Sequence, residues 1–329
     1  MRYAGAVKVL VALVMAGSLL VLWGTLDAFA ERTVTAKKVK KGPVIDGKVD
    51  KVWRKVRASR IPVKEGKIGD ITVTMKALYD SEYVYFLFRW PDKTMSQNRV
   101  YVWTGEGWKK RKGNEDRLGL LWDIKGNLKD FGTKGCDAIC HKEKKGDKEI
   151  FFMKADSPDQ RGDVWHWKAQ RSNPVGYADD QYLQHVVASE GEEKTGRKGD
   201  KKTAGSYKKN WDKKRKAPKF IHKAGKWGPV LLKKDAVPLK PGTSVEKGAV
   251  VPREVLERPV GSRGDIDAGG RYAKGRWTLE LRRKLRTGNP DDVQFDTSKS
   301  YFFGLAIFDN TSEKEHSFTK GEAYKLVFK

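Results

Sequence analysis

The chain has 329 residues, and 68 Lys and Arg against 42 Asp and Glu give it a formal net charge of +26. Aromatic residues make up 11% of the chain, which excludes disorder along its whole length because disordered sequences are poor in aromatics. The two cysteines exclude a disulfide scaffold, and they exclude a zinc or iron–sulfur site built from four thiolates of this chain alone. The positive charge indicates an acidic partner, and composition leaves open whether this is nucleic acid, a membrane surface or a protein.

Residues 1–30 have the pattern of a signal peptide. Arg2 and Lys8 precede an apolar run from Val9 to Leu26. Ala28-Phe29-Ala30 then has the spacing of a cleavage site. The alternative is an uncleaved anchor, although a run of about 18 residues barely spans a bilayer. Either interpretation exports the remaining chain to the periplasm or an equivalent non-cytoplasmic lumen. Cleavage would leave a net charge of +25 and no membrane span, and export argues against nucleic acid as the partner.

Residues 31–329 are expected to form a single, mainly β domain. Ile71–Tyr79 and Tyr83–Trp90 have strand patterns, and the intervening Asp80-Ser81-Glu82 is typical of a hairpin turn. Helical periodicity is scarce and is clearest in Lys51–Arg57. Short strands without long helices favour a two-sheet β-sandwich. Further strands are predicted at Arg117–Ile124, Glu149–Lys154, Val164–Lys168, Arg276–Leu285, Tyr301–Phe308 and Ala323–Phe328.

A Lys-rich insertion is predicted within this domain at about residues 190–270. Between Lys194 and Lys234 there are 16 Lys and Arg against two acids, Asp200 and Asp212, which is a local charge of +14. One interpretation is a solvated basic loop, and the other is a docking surface for an acidic partner. A loop of this length is usually functional or disordered.

Both cysteines lie in Cys136-Asp137-Ala138-Ile139-Cys140-His141. This C-x-x-x-C-H pattern is one residue longer than the C-x-x-C-H of covalent haem attachment. Two neighbouring thiols can form thioethers with the haem vinyl groups, and His141 directly after them can ligate the iron. A local disulfide and a zinc site completed by distant histidines are the alternatives. We predict one covalent haem c held by Cys136 and Cys140.

A second axial ligand is expected from elsewhere in the chain. The candidates are the methionines and the four remaining histidines, His166, His185, His222 and His316. We favour His166, because it lies between Trp165 and Trp167, whose indoles can line a haem pocket. The alternative is a packed, hydrogen-bonded histidine among aromatic side chains.

Several motifs together resemble a known family. They include Val44-Ile45-Asp46-Gly47, Tyr85–Trp90, Glu115-Asp116-Arg117-Leu118, Asp163–Ala169, Gly176–Asp180 and Phe303–Asn310. In this order they resemble the haem-binding γ subunits of ethylbenzene dehydrogenase and its relatives, which belong to molybdenum enzymes of the type II dimethyl-sulfoxide-reductase class. The cysteine motif makes the chain most similar to the haem subunit of nitrite oxidoreductase. The resemblance covers residues 42–189 and 271–329; the basic insertion and the cysteine motif depart from simpler γ subunits.

The resemblance implies a sandwich like that of carbohydrate-binding modules and a b-type haem ligated by Met and Lys. Met153 matches the methionine, and Lys284 matches the lysine, with Lys168 as the alternative. The lysine amine must be neutral to bind iron, which burial and the metal favour. The implied partners are an iron–sulfur subunit, a molybdenum catalytic subunit and a soluble electron carrier.

The cysteine motif and the resemblance therefore imply an electron-transfer subunit that turns over no substrate itself. No P-loop, nucleophile elbow or metalloprotease motif occurs in the sequence. One alternative is an exported carbohydrate-binding sandwich, with which Ile45-Asp46-Gly47 is compatible. Another is a stand-alone c-type cytochrome without a molybdenum partner. The cysteine motif argues against the carbohydrate-binding alternative, because a sugar-binding module has no need of it.

Overall fold

The computed structural model describes residues 32–145, 147–190, 193–312 and 315–329. The predicted signal peptide lies outside these residues. In the described part of the chain, no helix is both long enough and apolar enough to cross a membrane.

The first half of the described chain is built from strands and a few single-turn helices. The strands are β1 (Thr33–Lys38), β2 (Ser59–Val63), β3 (Ile71–Tyr79), β4 (Tyr83–Pro91), β5 (Val100–Trp103), β6 (Trp108–Lys110), β7 (Arg117–Asp123), β8 (Cys140–Lys145), β9 (Lys148–Met153), β10 (Gly162–Lys168) and β11 (Tyr177–Glu190). The helical turns are α1 (Phe131–Lys134) and 3-10 turns at Lys51–Lys55, Cys136–Ala138 and Asn173–Val175.

The second half continues the same pattern, with shorter strands in the Lys-rich insertion. The strands are β12 (Glu193–Gly199), β13 (Lys208–Lys209), β14 (Phe220–His222), β15 (Ala236–Pro238), β16 (Val250–Pro252), β17 (Glu254–Val255), β18 (Ile266–Tyr272), β19 (Arg276–Lys284), β20 (Tyr301–Phe308), β21 (Ser317–Phe318) and β22 (Tyr324–Phe328). Two further 3-10 turns occupy Lys233–Asp235 and Ser262–Gly264.

Ten strands form a closed, sandwich-like ring in the order β10-β7-β20-β22-β1-β3-β4-β19-β18-β11, and β11 returns to β10. Most neighbours are antiparallel, while β1 runs parallel to both β22 and β3. From β11 the sheet extends outward through β12, β9 and β8. The predicted mainly β sandwich is therefore confirmed, and the closure through β10 and β11 is an addition to it.

The main core fills the inside of the ring because alternate side chains of each strand face inward. On β10 these are Trp165 and Trp167, and β7 contributes Leu118, Leu120 and Trp122. The indoles pack edge-on or tilted: Trp122 and Trp165 have ring centroids 5.4 Å apart, and Trp167 and Trp277 are 5.0 Å apart. The outward-facing residues of the same strands are thus left to form a separate surface.

Every strand predicted from the sequence is present within a residue or two of its expected ends. The turn between β3 and β4 is fixed by Asp80, whose Oδ1 accepts bonds from the backbone N–H of Glu82 and Tyr83 at 2.9 and 2.8 Å. The helical pattern near residue 51 yields only the 3-10 turn Lys51–Lys55. That turn is anchored by Trp53, whose Nε1 donates to Glu280 Oε1 at 2.7 Å.

The Lys-rich insertion contains β12 to β17. Its β16 pairs with β5, and Trp211 stacks on Tyr101 with centroids 4.4 Å apart. Elsewhere in the insertion, β13 pairs with β17 and β14 pairs with β15. The lysines of this segment therefore lie on a backbone that is tied to the domain by hydrogen bonds and aromatic packing.

Candidate functional site

The cysteine motif forms a compact turn followed by a strand. Cys136 begins a 3-10 turn, the Ile139 N–H donates to the Cys136 carbonyl at 3.1 Å, and Cys140 opens β8. Asp137 Oδ2 accepts a bond from the Gly321 N–H at 3.1 Å, which ties this turn to the loop before β22. The additional residue of the C-x-x-x-C-H pattern is absorbed in this turn.

A second hydrophobic core holds the cysteine segment against the outer face of the ring. Phe131 and Ile139 from the segment pack with Leu121 of β7, Val164 of β10 and Leu183 of β11. All five side chains are buried. Burial of this apolar area, at roughly 25 cal/mol per Å², fixes the position of the two thiols on that face.

Small residues leave a hollow in the outer face of the ring, beneath the cysteines. In the strand register, His166 of β10 lies beside Gly119 of β7, which lies beside Ala306 of β20. In the adjacent row, Gly304 lies opposite Leu121. A Cβ atom on Gly304 would lie less than 3.0 Å from Cys136 Sγ, so only glycine allows this thiol to sit where it does.

The interior of the hollow has a volume of about 70 Å³, and the empty space including its open mouth is about 720 Å³. The interior alone is smaller than typical small-molecule and cofactor sites, about 300–1,000 Å³, so a large planar ligand would extend through the mouth. Its walls are mostly apolar, and its donor atoms come from Cys136, Cys140, Met153, His166 and His316. The structure therefore brings both thiols, one thioether and two imidazoles to one cavity.

Cys136 is buried, and its Sγ lies 3.7 Å from Thr319 Oγ1. Burial raises the pKa of this thiol to about 11, so it is protonated at neutral pH. The two cysteines do not form a disulfide.

His166 is only 2% exposed, and its Nδ1 lies 3.1 Å from Arg197 Nη1. Burial first, and then the positive charges of Lys168 and Arg197, hold its pKa well below the usual 6.5, so the ring is neutral. A guanidinium can only donate, so Nδ1 accepts and the ring proton is assigned to Nε2. Nε2 has no hydrogen-bond partner within the described residues. In this tautomer His166 offers the pocket an N–H donor.

Met153 and His316 offer the pocket two further donor atoms. Met153 pairs with Cys140 across β8 and β9, which places the two sulfur-bearing residues side by side in the sheet. The His316 ring is half-buried and lies 4.8 Å from the ring of Phe308, tilted by 31°. Both lie among apolar walls, where a soft thioether or an imidazole suits a haem iron.

Other predicted residues lie elsewhere. Trp165 and Trp167 project to the opposite face of β10, into the main core, and shape the pocket only through the strand that they anchor. His185 and His222 do not line the pocket. The backbone of His141 pairs with Phe152 in the β8–β9 hairpin, and its side chain lies outside the described part of the structure.

The two predicted lysine ligands have different environments. Lys168 is buried, forms an ion pair with Asp179 and lies 3.4 Å from Tyr207 Oη. It faces outward from β10, two residues beyond His166. Lys284 is exposed at the end of β19 and does not line the pocket that contains Met153.

Sequence reasoning missed Arg197 and the glycines of the pocket floor. Arg197 lies on β12, inside a segment whose many lysines and arginines concealed it. A weak signal did exist in Tyr301–Phe308, where Gly304 and Ala306 alternate with large inward-facing side chains. Two small residues on one face of a strand indicate that another group approaches closely there.

Comparison with known proteins identifies the family. The family model described as ethylbenzene dehydrogenase matches residues 50–321. No curated protein sequence matches the chain. Among solved structures, it is similar to a family 9 carbohydrate-binding module from Caldicellulosiruptor kristjanssonii, in complexes with glucose and with cellotriose. Each shows 10% identity and a TM-score of 0.38, and the matches cover 90% of this chain and 95% and 93% of those chains. Likeness at this level carries no argument about a ligand.

The family match includes both cysteines, the strands beneath the pocket and the whole Lys-rich insertion. The chain belongs to the ethylbenzene dehydrogenase family, whose members are accessory subunits of molybdenum enzyme complexes.

Proposed function

We propose that the chain is the electron-transfer subunit of an exported, nitrite oxidoreductase-like molybdenum complex, with one covalent haem c in the pocket described above. The observation that carries the proposal is the convergence of Cys136, Cys140, Met153, His166 and His316 on one apolar cavity. Electrons would pass between an iron–sulfur subunit and a soluble carrier, and catalysis would take place on the molybdenum subunit.

The residues present fit a haem by the chemistry of their donor set. Cys136 and Cys140 would hold the porphyrin through thioether bonds, and His141 is the predicted axial ligand next to them. When bound, the haem supplies one-electron chemistry, while the apolar walls set the polarity that tunes its potential. Cys136 is held against Gly304 on the pocket floor, so its position is fixed before any haem is attached.

Three side chains are candidates for the second axial position. Met153 offers a thioether and His316 an imidazole at the pocket wall. His166 can ligate the iron only if its proton moves to Nδ1 and Arg197 turns away, because ligating histidines normally donate from the other ring nitrogen. If Arg197 stays, His166 Nε2–H and the guanidinium together suit a carboxylate, such as a haem propionate.

The proposal also includes a haem b, because the family resemblance implies one. Met153 would ligate it, with Lys284 or Lys168 as the partner, and the haem c would then take its second ligand from His316 or His166. Lys168 would have to leave Asp179 and lose its proton, and Lys284 would have to leave solvent. The c-type haem has the stronger support, because its two thiols already line the same cavity.

The test is a pyridine haemochrome spectrum of the protein produced with a c-type cytochrome maturation system, before and after acid–acetone extraction. Haem c resists extraction, whereas haem b is extracted. Cys140→Ser should reduce covalent attachment, and His222→Ala, which changes a histidine outside the pocket, should leave it unchanged. A protein without any haem, or full covalent haem in Cys140→Ser, would overturn the proposal.

Axial ligands can be assigned by comparing Met153→Leu, His316→Ala and His166→Ala in the same protein. Loss of a ligand changes the visible spectrum and shifts the reduction potential, while the thioethers remain. If His166 instead donates to a propionate, His166→Ala should shift the potential and leave the ligation bands in place.

A further inference from the structure

Three aspartates from distant parts of the chain meet at one end of the ring, and none of them lines the cysteine pocket. Asp92 follows β4, Asp116 precedes β7 and Asp309 follows β20. One carboxylate oxygen from each lies within 4.8 Å of the other two. Asp92 and Asp116 are 3% and 0% exposed, while Asp309 is half-buried. Two of these three carboxylates have therefore been removed from water.

The hydrogen bonds of the protein leave this group incompletely satisfied. Asp116 accepts from the Ser96 N–H at 2.7 Å and from Trp277 Nε1 at 3.2 Å. Asp92 Oδ1 accepts from the Thr94 N–H at 3.0 Å, but its Oδ2 is buried without a partner. A buried carboxylate oxygen without a donor costs free energy, and in native proteins it calls for a partner such as an ion or a water.

Charge points to a cation as that partner. Among the described residues, no Lys or Arg forms an ion pair with any of these three aspartates. Burial and the mutual repulsion of the carboxylates raise the pKa of Asp92 to about 6 and that of Asp116 to about 7. The aspartates repel one another unless protons or a positive ion neutralise them.

A second group of three aspartates in the same protein differs because it contains an arginine. Asp163, Asp180 and Asp292 also lie close together, but Arg283 lies among them. Its guanidinium is 2.5 Å from Asp163 and 2.8 Å from Asp292. That group already contains its counter-charge, whereas in the group at Asp92 the charge of Lys67 attracts Asp309 without forming an ion pair with it.

We propose that Asp92, Asp116 and Asp309 form a binding site for a divalent cation of the calcium class. Carboxylate oxygens are hard ligands, which Ca²⁺ prefers, and Ca²⁺ tolerates irregular geometry better than Mg²⁺ does. The half-buried Asp309 provides the route from solvent. Waters and backbone carbonyls would complete the coordination sphere.

The cation would join the end of β4, the start of β7 and the end of β20. The last two strands carry Gly119, Gly304 and Ala306, which form the floor of the cysteine pocket. Bound cation should therefore stabilise the domain, whether or not a haem occupies the pocket. The site is independent of the electron-transfer proposal.

The experiment uses the full-length mature protein, treated with EDTA and then desalted. Tb³⁺ luminescence excited through tryptophan reports binding, because Trp277 Nε1 lies against Asp116. Ca²⁺ should compete with Tb³⁺ at one saturable site, and Ca²⁺ alone should raise Tm relative to EDTA. Asp92→Asn and Asp309→Asn should each weaken Ca²⁺ binding at least tenfold, and the exposed Asp147→Asn should leave it unchanged.

Two results would overturn the site: no saturable Ca²⁺ binding, or unchanged binding in Asp309→Asn. Asp92 is buried, so Asp92→Asn can fail to fold. Binding by Asp309→Asn still tests the site, because Asp309 reaches solvent and tolerates an isosteric amide. Far-UV circular dichroism of each variant shows whether it is folded before binding is compared.

Discussion

Gly304→Ala should displace Cys136 and reduce covalent haem attachment. The backbone of β20 accepts alanine, because Gly304 is not in the left-handed region. The new methyl carbon, however, would lie less than 3.0 Å from Cys136 Sγ, at least 0.5 Å inside the ~3.5–4.0 Å of ordinary contact. Thr319 and Phe131 crowd the same spot at 3.5 and 3.6 Å, so the thiol must turn away or the cysteine segment must shift.

Overpacking of this kind costs about 1–3 kcal/mol, which corresponds to a fall in Tm of roughly 2–5 °C for a domain of this size. Differential scanning calorimetry of the haem-free protein measures this cost. Haemochrome spectra after acid–acetone extraction measure the remaining covalent haem, which should fall well below that of the unaltered protein.

Gly119→Ala is the matched control, because it adds the same methyl to the same pocket floor. Its Cβ would meet Phe308 at 3.7 Å and Ala306 at 4.0 Å, which are ordinary contacts. It should keep Tm and covalent attachment close to normal. If Gly304→Ala matched Gly119→Ala in both measurements, close packing against Gly304 would not be what positions Cys136.

Three further predictions concern charge. Burial and nearby aspartates raise the pKa of Asp200 to about 9, above its unfolded value of 3.8, so its ionisation destabilises the fold as pH rises between these values. Asp200→Asn should therefore flatten the fall of Tm between pH 5 and 9; an unchanged pH profile would contradict this. Lys168→Met should remove one of the partners of Asp179 and lower the free energy of unfolding, measured in urea, by about 3 kcal/mol. The haem spectrum should stay normal unless Lys168 ligates iron. Lys213→Glu with Lys214→Glu should weaken association with an acidic electron-carrier protein, most strongly at low salt, and an effect independent of salt would argue against the Lys-rich insertion as a docking surface.

Local sequence patterns were sufficient for β3, β4, β7, β9, β10, β19, β20 and β22 and for the turn between β3 and β4, since alternation and turn residues act over a few positions. They did not predict the remaining strands, which include the ring strands β1, β11 and β18 as well as β2, β8 and β12. Arg271 and its neighbours on β18 include consecutive glycines, and β12 consists mainly of charged residues. Their strand conformation comes from partners far away in the chain, because cross-strand pairing depends on neighbours that periodicity does not reveal.

The sequence by itself determined that Cys136 and Cys140 stand beside His141, that the domain is mainly β, and that the charge is concentrated in one insertion. These features are local, so spacing and composition express them directly. Only the tertiary structure decided that Met153, His166 and His316 join the two thiols, that Trp165 and Trp167 face the other way, and that Arg197 meets His166. The physical reason is that a strand sends alternate side chains to opposite faces, and long-range pairing chooses which face meets the cysteines.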